Sequence, residues 1–317
     1  MESLLTDCLI ILQATRNMSE KPMSILKAPA VIGFVGLGRM GLPMVRNLLN
    51  SGFTVRGFDQ SEIARAEIAA AGAVACNSAV EVATGADAVI TMLPNGVIVR
   101  EVVIGRDGIS SVLPPEAIVI DMSSSAPTDT THLSEQLAAR GIRLVDAPVS
   151  GGRTRAVDGT LTIMAGGEPA VVSTVLPVLE AMSTTIFRTG KIGSGHAMKA
   201  INNYVSGAGM VAAMEGVILG EAFGLDPEVI VDVLNVSTGR NNTTEVKMKQ
   251  FVLNRDFGSG FALGLMAKDI GIARQLAQAL NLPMGSLAET SARWEAAQEK
   301  LGSDADHTEM YRFLSES

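Results

Sequence analysis

Short apolar runs alternate with amphipathic stretches in the first part of the chain. Most of these runs have five or six residues, are rich in β-branched side chains and end at a polar residue or a proline. They are found at residues 30–35, 53–58, 73–75, 88–93, 117–121, 142–146 and 161–165. Runs of this kind, separated by helical patterns, indicate a mostly parallel sheet covered by helices on both faces. We therefore predict a doubly wound α/β domain over residues 29–192.

The pattern changes after Gly195. Residues 196–224 are rich in Ala, Val, Met and Gly and are followed by a proline, which predicts one long helix. Further helical patterns are found at residues 227–236, 242–254, 260–280 and 284–300, and no run among them is typical of a strand. We predict an all-helical second domain over residues 193–317, which the long helix joins to the first. Residues 1–28 are predicted to be a poorly ordered extension.

Composition and charge exclude several classes of protein. The chain has 317 residues, with 25 Lys and Arg against 33 Asp and Glu and a net charge of −8, which argues against a nucleic-acid partner. Its two cysteines form no CxxC motif, which favours a reducing compartment, and we expect the cytoplasm. Its three histidines lack metal-ligand spacing, so no metal is expected. No apolar run reaches the roughly 18 residues of a membrane span, so no membrane partner is expected.

A glycine motif follows the first predicted strand and opens the next helix. Gly36, Gly38 and Gly41 have the spacing GxGxxG, and Asp59 ends the next strand 23 positions after Gly36. In a dinucleotide fold the three glycines permit a tight turn, the approach of the pyrophosphate and close packing of helix on strand. The motif predicts a Rossmann-type cofactor site. The loop residues that we expect to contact the cofactor are Gly36, Leu37, Gly38, Arg39, Met40 and Gly41.

The residue at the end of the second strand bears on the choice of cofactor. Asp59 can accept hydrogen bonds from the adenosine ribose, and its charge would repel a 2′-phosphate. Gln60 and Ser61 follow, with no arginine to bind such a phosphate. The sequence therefore favours NAD over NADP. Two alternatives to a nicotinamide cofactor remain for the glycine motif: it binds a flavin, or it is only a turn of glycines next to a surface aspartate.

The ends of two later strands also lie where open α/β sheets bind their ligands. Leu93 and Pro94 end one strand, and Ser124 lies in a run of three serines that follows another. We expect these residues to contact the cofactor. The alternative is that the serines only cap the helix that begins at Pro127.

Three further segments carry groups suited to catalysis. A turn after the strand that ends at Asp146 has backbone N–H groups and a hydroxyl suited to a carboxylate. At the start of the long helix a lysine and an asparagine lie four residues apart on one face. A second lysine, next to an aspartate, lies on a later helix. These residues are Ser150, Gly151 and Gly152; Lys199 and Asn203; and Lys268.

In this order the four motifs resemble those of the β-hydroxyacid dehydrogenase family, over residues 30–315. The resemblance implies a dinucleotide-binding domain followed by a helical domain. It also implies that Lys199 is the catalytic acid/base and that Asn203 orients the substrate. Ser150, Gly151 and Gly152 would hold the substrate carboxylate. Ser124 would lie near both substrate and nicotinamide, and Lys268 would contribute to the cofactor site from the helical domain.

Lysine is a suitable base for this chemistry. Oxidation of a hydroxy acid removes the hydroxyl proton while a hydride leaves the carbon. A lysine can accept that proton if burial and nearby positive charge lower its pKa from about 10.4. The neighbours of Lys199 are apolar, which favours a buried lysine over a solvated one. His196 is interpreted as a structural or solvent-facing histidine, and Lys268 as either a site residue or an exposed charge next to Asp269.

The substrate is the least determined feature. The family resemblance favours a 3-hydroxyisobutyrate-like acid. However, residues 241–244 read Asn-Asn-Thr-Thr, where relatives usually bring a tryptophan towards the substrate, and Trp294 lies far along the chain. A polar segment would suit an extra hydroxyl, as in tartronate semialdehyde reductase, and glyoxylate reductase is a further alternative. A non-catalytic scaffold or an imine-reducing enzyme would be expected to have lost Lys199. The small-residue helix suits a homodimer or homotetramer.

Overall fold

A nine-stranded sheet organises the first domain in the computed structural model, which describes residues 24–316. The strands are β1 (Val31–Val35), β2 (Thr54–Phe58), β3 (Val74–Ala75), β4 (Ala88–Thr91), β5 (Ile118–Asp121), β6 (Arg143–Asp146), β7 (Val149–Ser150), β8 (Leu161–Gly166) and β9 (Ser183–Gly190). Their order is β3-β2-β1-β4-β5-β6-β8-β7, and β9 also pairs with β8. The first six strands are mutually parallel, and β8 is antiparallel to β6 and β7. Because the chain leaves β1 on one side and returns at β4 on the other, a crevice opens at the carboxyl ends of these two strands.

Helices cover both faces of the sheet and then form the second domain. The helices are α1 (Gly41–Asn50), α2 (Glu62–Ala70), α3 (Ala79–Ala83), α4 (Gly96–Ile104), α5 (Pro127–Ala138), α6 (Gly152–Asp158), α7 (Pro169–Glu180), α8 (Ser194–Phe223), α9 (Pro227–Asn235), α10 (Leu263–Ala279), α11 (Gly285–Leu301) and α12 (Met310–Ser315). A π-helix spans Thr243–Leu253, and 3-10 turns span Ile109–Ser111 and His307–Glu309. The predicted fold class, a mostly parallel sheet followed by a helical domain, is confirmed.

Local sequence explains where several helices begin and end. The Ser61 hydroxyl accepts a hydrogen bond from the Ala64 N–H and caps α2. Proline occupies the first turn of α5, α7 and α9, where its missing N–H leaves no bond unmade. At the end of α8, Gly224 adopts a left-handed conformation with a φ of +99°, which stops the helix as the sequence predicts.

The structure differs in several elements from what the pattern of apolar residues predicts. Strand β7 has two residues, and β9 is mostly polar and exposed because its outer edge is unpaired. The predicted helix over residues 242–254 is a π-helix, and α12 follows the last predicted helix. Residues 1–23 of the predicted extension lie outside the described part of the chain. Within residues 24–28, the backbone N–H of Leu26 donates to the Thr174 carbonyl in α7 at 2.9 Å.

The two domains have separate cores. Apolar side chains from both faces of the sheet pack under the surrounding helices, with Phe34 and Ile120 fully buried. The helical domain packs around Trp294, which is also fully buried. Helix α8 contacts both domains, since it packs against β8 at its start and against α10 further along.

Helix α8 is the one helix, within residues 24–316, that is long and apolar enough to cross a membrane on length and composition alone. The core helix of a water-soluble protein meets the same criterion, and α8 packs against the sheet and the other helices.

The first turn of α8 approaches the strands so closely that only glycine fits. A Cβ atom on Gly195 would lie 2.2 Å from the Met164 carbonyl oxygen.

Candidate active site

The glycine loop has the shape that a dinucleotide requires. A Cβ atom on Gly36, where φ is +101°, would lie 2.2 Å from the Met92 carbonyl oxygen, and one on Gly41 would lie 2.0 Å from that of Gly36. These two glycines are needed for the turn and for the packing of α1. A Cβ atom on Gly38 would meet nothing within 4 Å, so the second glycine faces open space on the side from which a pyrophosphate would approach.

Free backbone donors line this open side. Among the described residues, no backbone acceptor is found for the N–H groups of Gly38, Arg39 and Met40. Together with the start of α1, these donors suit a bound pyrophosphate. Leu37 behaves differently, because its N–H donates to Asp59 Oδ2 at 2.7 Å. The loop therefore fits the cofactor that the sequence implies, with Leu37 held by the protein.

Asp59 lies at the end of β2 and is held by two backbone groups. Its Oδ2 accepts from Leu37, and its Oδ1 accepts from the Ser61 N–H at 2.8 Å. These bonds fix a carboxylate beside the glycine loop, where the ribose of a dinucleotide would be bound. Each oxygen keeps a second lone pair for a ribose hydroxyl.

An arginine that sequence reasoning missed lies beside Asp59. The residues directly after Asp59 include no arginine, but α2 returns Arg65 to the end of β2. Its Nη1 donates to the carbonyls of Asp59, at 2.6 Å, and Gln60, at 3.2 Å. The guanidinium also lies 5.8 Å from the centre of the Phe58 ring. Nη1 thus donates to the backbone, and Nη2 lies 3.7 Å from the Glu62 carboxylate. Only the helical spacing from Asp59 could have predicted the position of this arginine.

The serines after β5 do not cap α5. The N-cap residue is Ala126, without a side-chain hydrogen bond, so the capping interpretation is wrong. Ser123 Oγ accepts from the Leu93 N–H at 2.9 Å, and Ser125 Oγ donates to the buried Asp121 at 2.9 Å. The hydroxyl of Ser124 has no partner in residues 24–316. It is the one of the three that stays available to a ligand.

Lys268 connects the two domains across the crevice. Its Nζ, on α10, donates to the carbonyls of Pro94, at 2.8 Å, and Ser124, at 3.2 Å. The same ammonium lies 3.5 Å from Asp269 Oδ1. The side chain is 28 % exposed, so the interpretation as a simple exposed charge pair is wrong.

Lys199 and Asn203 lie in the first turns of α8, opposite α10. Asn203 Nδ2 donates to Asp269 Oδ2 at 2.6 Å, and both side chains are buried. The other oxygen of Asp269 is buried and accepts no hydrogen bond from any described residue. Burial lowers the pKa of Lys199; the negative charge of Asp269 opposes this, and Lys268 lowers the pKa further. Sequence reasoning assigned no role to Asp269, although its place next to Lys268 was a signal.

The predicted carboxylate turn joins β7 to α6. Gly151 and Gly152 have φ values of +125° and +66°, which glycine adopts without strain. The turn is exposed, as are Arg153 and Arg155, which follow it. A Cβ atom on Gly151 would lie 2.4 Å from Cδ of Arg155, so that arginine packs its stem against the turn. Neither arginine has a side-chain partner in residues 24–316, and sequence reasoning gave them no role.

The polar segment at residues 241–244 is turned inwards. Asn241 Oδ1 accepts from the N–H groups of Thr243 and Thr244, and its Nδ2 donates to the Gly209 carbonyl on α8. Thr243 and Thr244 are buried. These contacts build the start of the π-helix, so the segment gives no support for an extra hydroxyl on the substrate. Trp294 lies in the helical core, away from the crevice.

No three His, Cys, Asp or Glu side chains within residues 24–316 are grouped as metal ligands would be. His196 is fully buried at the start of α8, so its interpretation as a solvent-facing residue is wrong and the structural alternative is the one observed.

Both parts of the chain match models of known families. Residues 31–190 match the NAD-binding domain of 6-phosphogluconate dehydrogenase. Residues 193–314 match the NAD-binding domain of NADP-dependent 3-hydroxyisobutyrate dehydrogenase. The two matches correspond to the sheet domain and the helical domain.

Individual relatives are similar over most of their length. The chain is 40% identical to the 2-(hydroxymethyl)glutarate dehydrogenase of Eubacterium barkeri, over 84% of this chain and 89% of the relative. It is 39% identical to the NAD-dependent L-serine dehydrogenase of Pseudomonas aeruginosa, over 81% and 89%. A structure of the Mycobacterium tuberculosis 3-hydroxyisobutyrate dehydrogenase with L-serine superimposes with a TM-score of 0.83 at 32% identity, over 90% and 99%. The chain therefore belongs to the β-hydroxyacid dehydrogenase family of NAD(P)-dependent enzymes, which act on the CH–OH group of small hydroxy acids.

Proposed function

We propose that this protein oxidises a small, 3-hydroxyisobutyrate-like β-hydroxy acid with NAD, and that Lys199 is the general acid/base. The observation that carries the proposal is the environment of Lys199. Burial lowers its pKa at the start of α8, opposite the buried pair of Asn203 and Asp269. A lysine whose pKa lies below 10.5 is more often neutral near pH 7 and can accept a proton there.

The chain supplies the other groups that the reaction needs. Lys199 takes the proton from the substrate hydroxyl, and Asn203, held by Asp269, orients that hydroxyl. The turn at Gly151 and Gly152 binds the carboxylate through its backbone N–H groups. A bound nicotinamide would supply the hydride acceptor. In the reverse direction the Lys199 ammonium donates its proton to the developing alkoxide.

We propose NAD as the preferred cofactor because of the carboxylate at the end of β2. Asp59 is fixed there by Leu37 and Ser61, so its negative charge would oppose a 2′-phosphate. Arg65 lies close by, but its Nη1 donates to two carbonyls and its Nη2 lies 3.7 Å from the Glu62 carboxylate, which offsets part of its positive charge.

A panel of small acids with Lys199 variants tests this function. NADH formation is measured with 3-hydroxyisobutyrate, glycerate, serine and threonate, and tartronate semialdehyde and glyoxylate are tried in the reducing direction. Lys199→Ala and Lys199→Arg should lower kcat by about 10²–10⁴-fold, because neither side chain accepts the proton. The dissociation constant for NADH should stay unchanged. Lys249→Ala, on the exposed part of the π-helix, is the control.

The pH dependence of the oxidation and reduction rates provides a further test of Lys199 as the acid/base. Because the pKa of Lys199 is lowered and the neutral amine is the base, the oxidation rate should rise with pH and level off at an apparent pKa below 10.5. The reduction rate should fall over the same interval, since it needs the ammonium. Wild-type turnover in Lys199→Ala, or an unchanged pH profile, would contradict the assignment.

A second candidate substrate class is favoured by Arg153 and Arg155. Both arginines follow the carboxylate turn and have no partner in the described part of the chain, so they are available to an anion. A hydroxy acid with a second carboxylate would suit them, and 2-(hydroxymethyl)glutarate, named in one relative, is such an acid.

Arginine variants separate the two substrate classes. Arg153→Gln and Arg155→Gln should each lower kcat/KM for 2-(hydroxymethyl)glutarate by about tenfold, the effect of one charged hydrogen bond. They should leave 3-hydroxyisobutyrate within about twofold of wild type. Arg188→Gln, on β9, is the matched control. Equal losses for both acids would exclude a role in binding a second anion.

A further inference from the structure

We propose that His196 is a positioning residue, which fixes the catalytic helix α8 relative to the loop of Ser123 and Ser124. The inference rests on the proposed function, since it assigns Lys199 to the reaction. His196 transfers no proton to or from the substrate in this proposal. It acts through the two segments that its side chain connects.

The start of α8 is anchored on the carboxylate of Asp146. Asp146 ends β6 and is fully buried. Its Oδ1 accepts from the Gly193 N–H at 2.8 Å, and its Oδ2 accepts from the His196 N–H at 2.9 Å. A carboxylate at this end of a 30-residue helix satisfies free N–H groups and complements the helix dipole. The backbone of His196 is thus held to the sheet.

The imidazole of His196 connects this anchor to two more elements. Its Nε2 lies 3.1 Å from the Ser123 carbonyl oxygen, which only accepts, so Nε2 carries a proton and donates. Its Nδ1 lies 2.8 Å from Oγ1 of Thr130 on α5. The ring has no exposed surface. One side chain therefore links α8, α5 and the loop after β5 through buried hydrogen bonds.

Two carboxylates flank the same ring. Asp121 Oδ2 lies 3.7 Å from Nε2, and Asp146 Oδ2 lies 3.8 Å from Nδ1. Asp121 is itself held by the hydroxyls of Thr91 and Ser125 and by the Ser123 N–H. Hydrogen bonds on both sides fix the ring. The loop of Ser123 cannot shift without breaking its hydrogen bonds to His196 and Asp121.

The two segments that the ring joins carry the proposed reaction. Lys199 lies three residues after His196, one helical turn along α8. Ser124, next to Ser123, has a free hydroxyl and a carbonyl that accepts from Lys268. The imidazole thus sets the relative position of the acid/base and of the loop at the cofactor site. A displacement of about 1 Å between these two groups would be enough to lower the rate by about 10²-fold.

Variants at both ends of the connection test the proposal. His196→Leu removes both hydrogen bonds, whereas His196→Gln keeps an amide donor that can reach the Ser123 carbonyl. Thr130→Val removes the second partner. We expect His196→Leu to lower kcat by about 10²-fold on whichever acid the wild type oxidises. His196→Gln should recover most of it, and Thr130→Val should show a smaller loss. The dissociation constant for NADH should stay within about twofold throughout.

Thr174→Val is the matched control. Thr174 is buried in α7, and its Oγ1 lies 3.1 Å from the carbonyl oxygen four residues back, the same separation as for Thr130 in α5. It lies away from the site, so the same substitution should leave kcat unchanged. A kcat within about twofold of wild type in His196→Leu would overturn the proposal. So would equal losses in Thr130→Val and Thr174→Val.

The proposed function and the positioning role can fail separately. If the wild type oxidises no acid in the panel, the proposed function fails, whatever the variants do. Crystal structures of the wild type, of His196→Gln and of Thr130→Val then test the positioning role, even if His196→Leu does not fold. A displacement of Lys199 relative to Ser124 in Thr130→Val, reduced in His196→Gln, supports it. Identical positions in all three overturn it.

Discussion

Asp59 shows how one residue can influence the choice of cofactor. Its carboxylate accepts two backbone hydrogen bonds at the end of β2, and the guanidinium of Arg65 donates to the Asp59 carbonyl. A carboxylate and an arginine are therefore both found at the strand end where a ribose would bind. The carboxylate keeps free lone pairs for a ribose hydroxyl, whereas the charge of Arg65 is partly offset by Glu62, 3.7 Å from its Nη2, so discrimination should follow Asp59.

The first prediction concerns that discrimination. Asp59→Ala should reduce the ratio of kcat/KM with NAD to kcat/KM with NADP by about tenfold or more, because the repulsion of a 2′-phosphate and a ribose hydrogen bond are both lost. Steady-state kinetics with the two cofactors measure the ratio. Asp87→Ala is the control, since Asp87 also accepts a backbone N–H, that of Val31, at the opposite end of the sheet. An unchanged ratio in Asp59→Ala would show that the ribose contact lies elsewhere.

Helix α8 is the element with two distinct faces. One face carries Lys199 and Asn203 and packs against the sheet and α10. The opposite face has exposed residues that recur at intervals of three, four or seven positions over about 38 Å of helix. They are Met198, Ile201, Val205, Ala212, Gly216, Leu219 and Phe223, and Phe223 is 84% exposed. Such a continuous apolar stripe is typical of a surface that another protein covers.

The second prediction is that two copies of the chain pair along this stripe. Its small residues permit close approach of two helices, and an isologous pair would bury the stripe of both copies. Leu219→Glu combined with Phe223→Asp should convert a dimer or tetramer into a smaller species, because the charges cannot be buried unpaired. Light scattering after gel filtration measures the mass. Phe187→Asp, an exposed position on β9, is the control. A monomeric wild type would contradict the pairing.

At the scale of the whole molecule, one lysine side chain joins the helical domain to the loops at the carboxyl ends of the strands. Lys268 reaches from α10 to the carbonyls of Pro94 and Ser124, which lie at the ends of neighbouring strands. Its ammonium therefore connects the helical domain to two loops of the predicted cofactor site.

The third prediction tests this connection. Lys268→Met keeps most of the stem and loses the ammonium, so NADH should bind about tenfold more weakly, as expected for the loss of a charged hydrogen bond. Fluorescence titration measures the dissociation constant. Lys249→Met is the control, because its ion pair with Asp232 lies outside the crevice. Unchanged NADH binding in Lys268→Met would show that the connection does not serve the cofactor.

The sequence predicted the fold where burial dictates composition. Strands β1, β4, β5, β6 and β8 are almost wholly buried and follow apolar runs, since a strand covered on both faces needs apolar side chains throughout. The pattern did not predict strand β9, because this strand lies at an edge of the sheet, where its side chains are mostly polar and exposed. The π-helix could not be distinguished from an α-helix, because the difference lies in hydrogen-bond register, which apolar periodicity does not record.

The sequence by itself also determined the motifs: the glycine loop, Asp59, the carboxylate turn, and the lysines at residues 199 and 268. Each is a local pattern whose backbone or side-chain chemistry depends on residues near it in the chain. Only the tertiary structure placed Arg65 beside Asp59, paired Asn203 with Asp269, and buried His196 between α5, α8 and the loop after β5. These contacts join residues from separate elements, so their distances follow from how the elements pack, which no local pattern specifies.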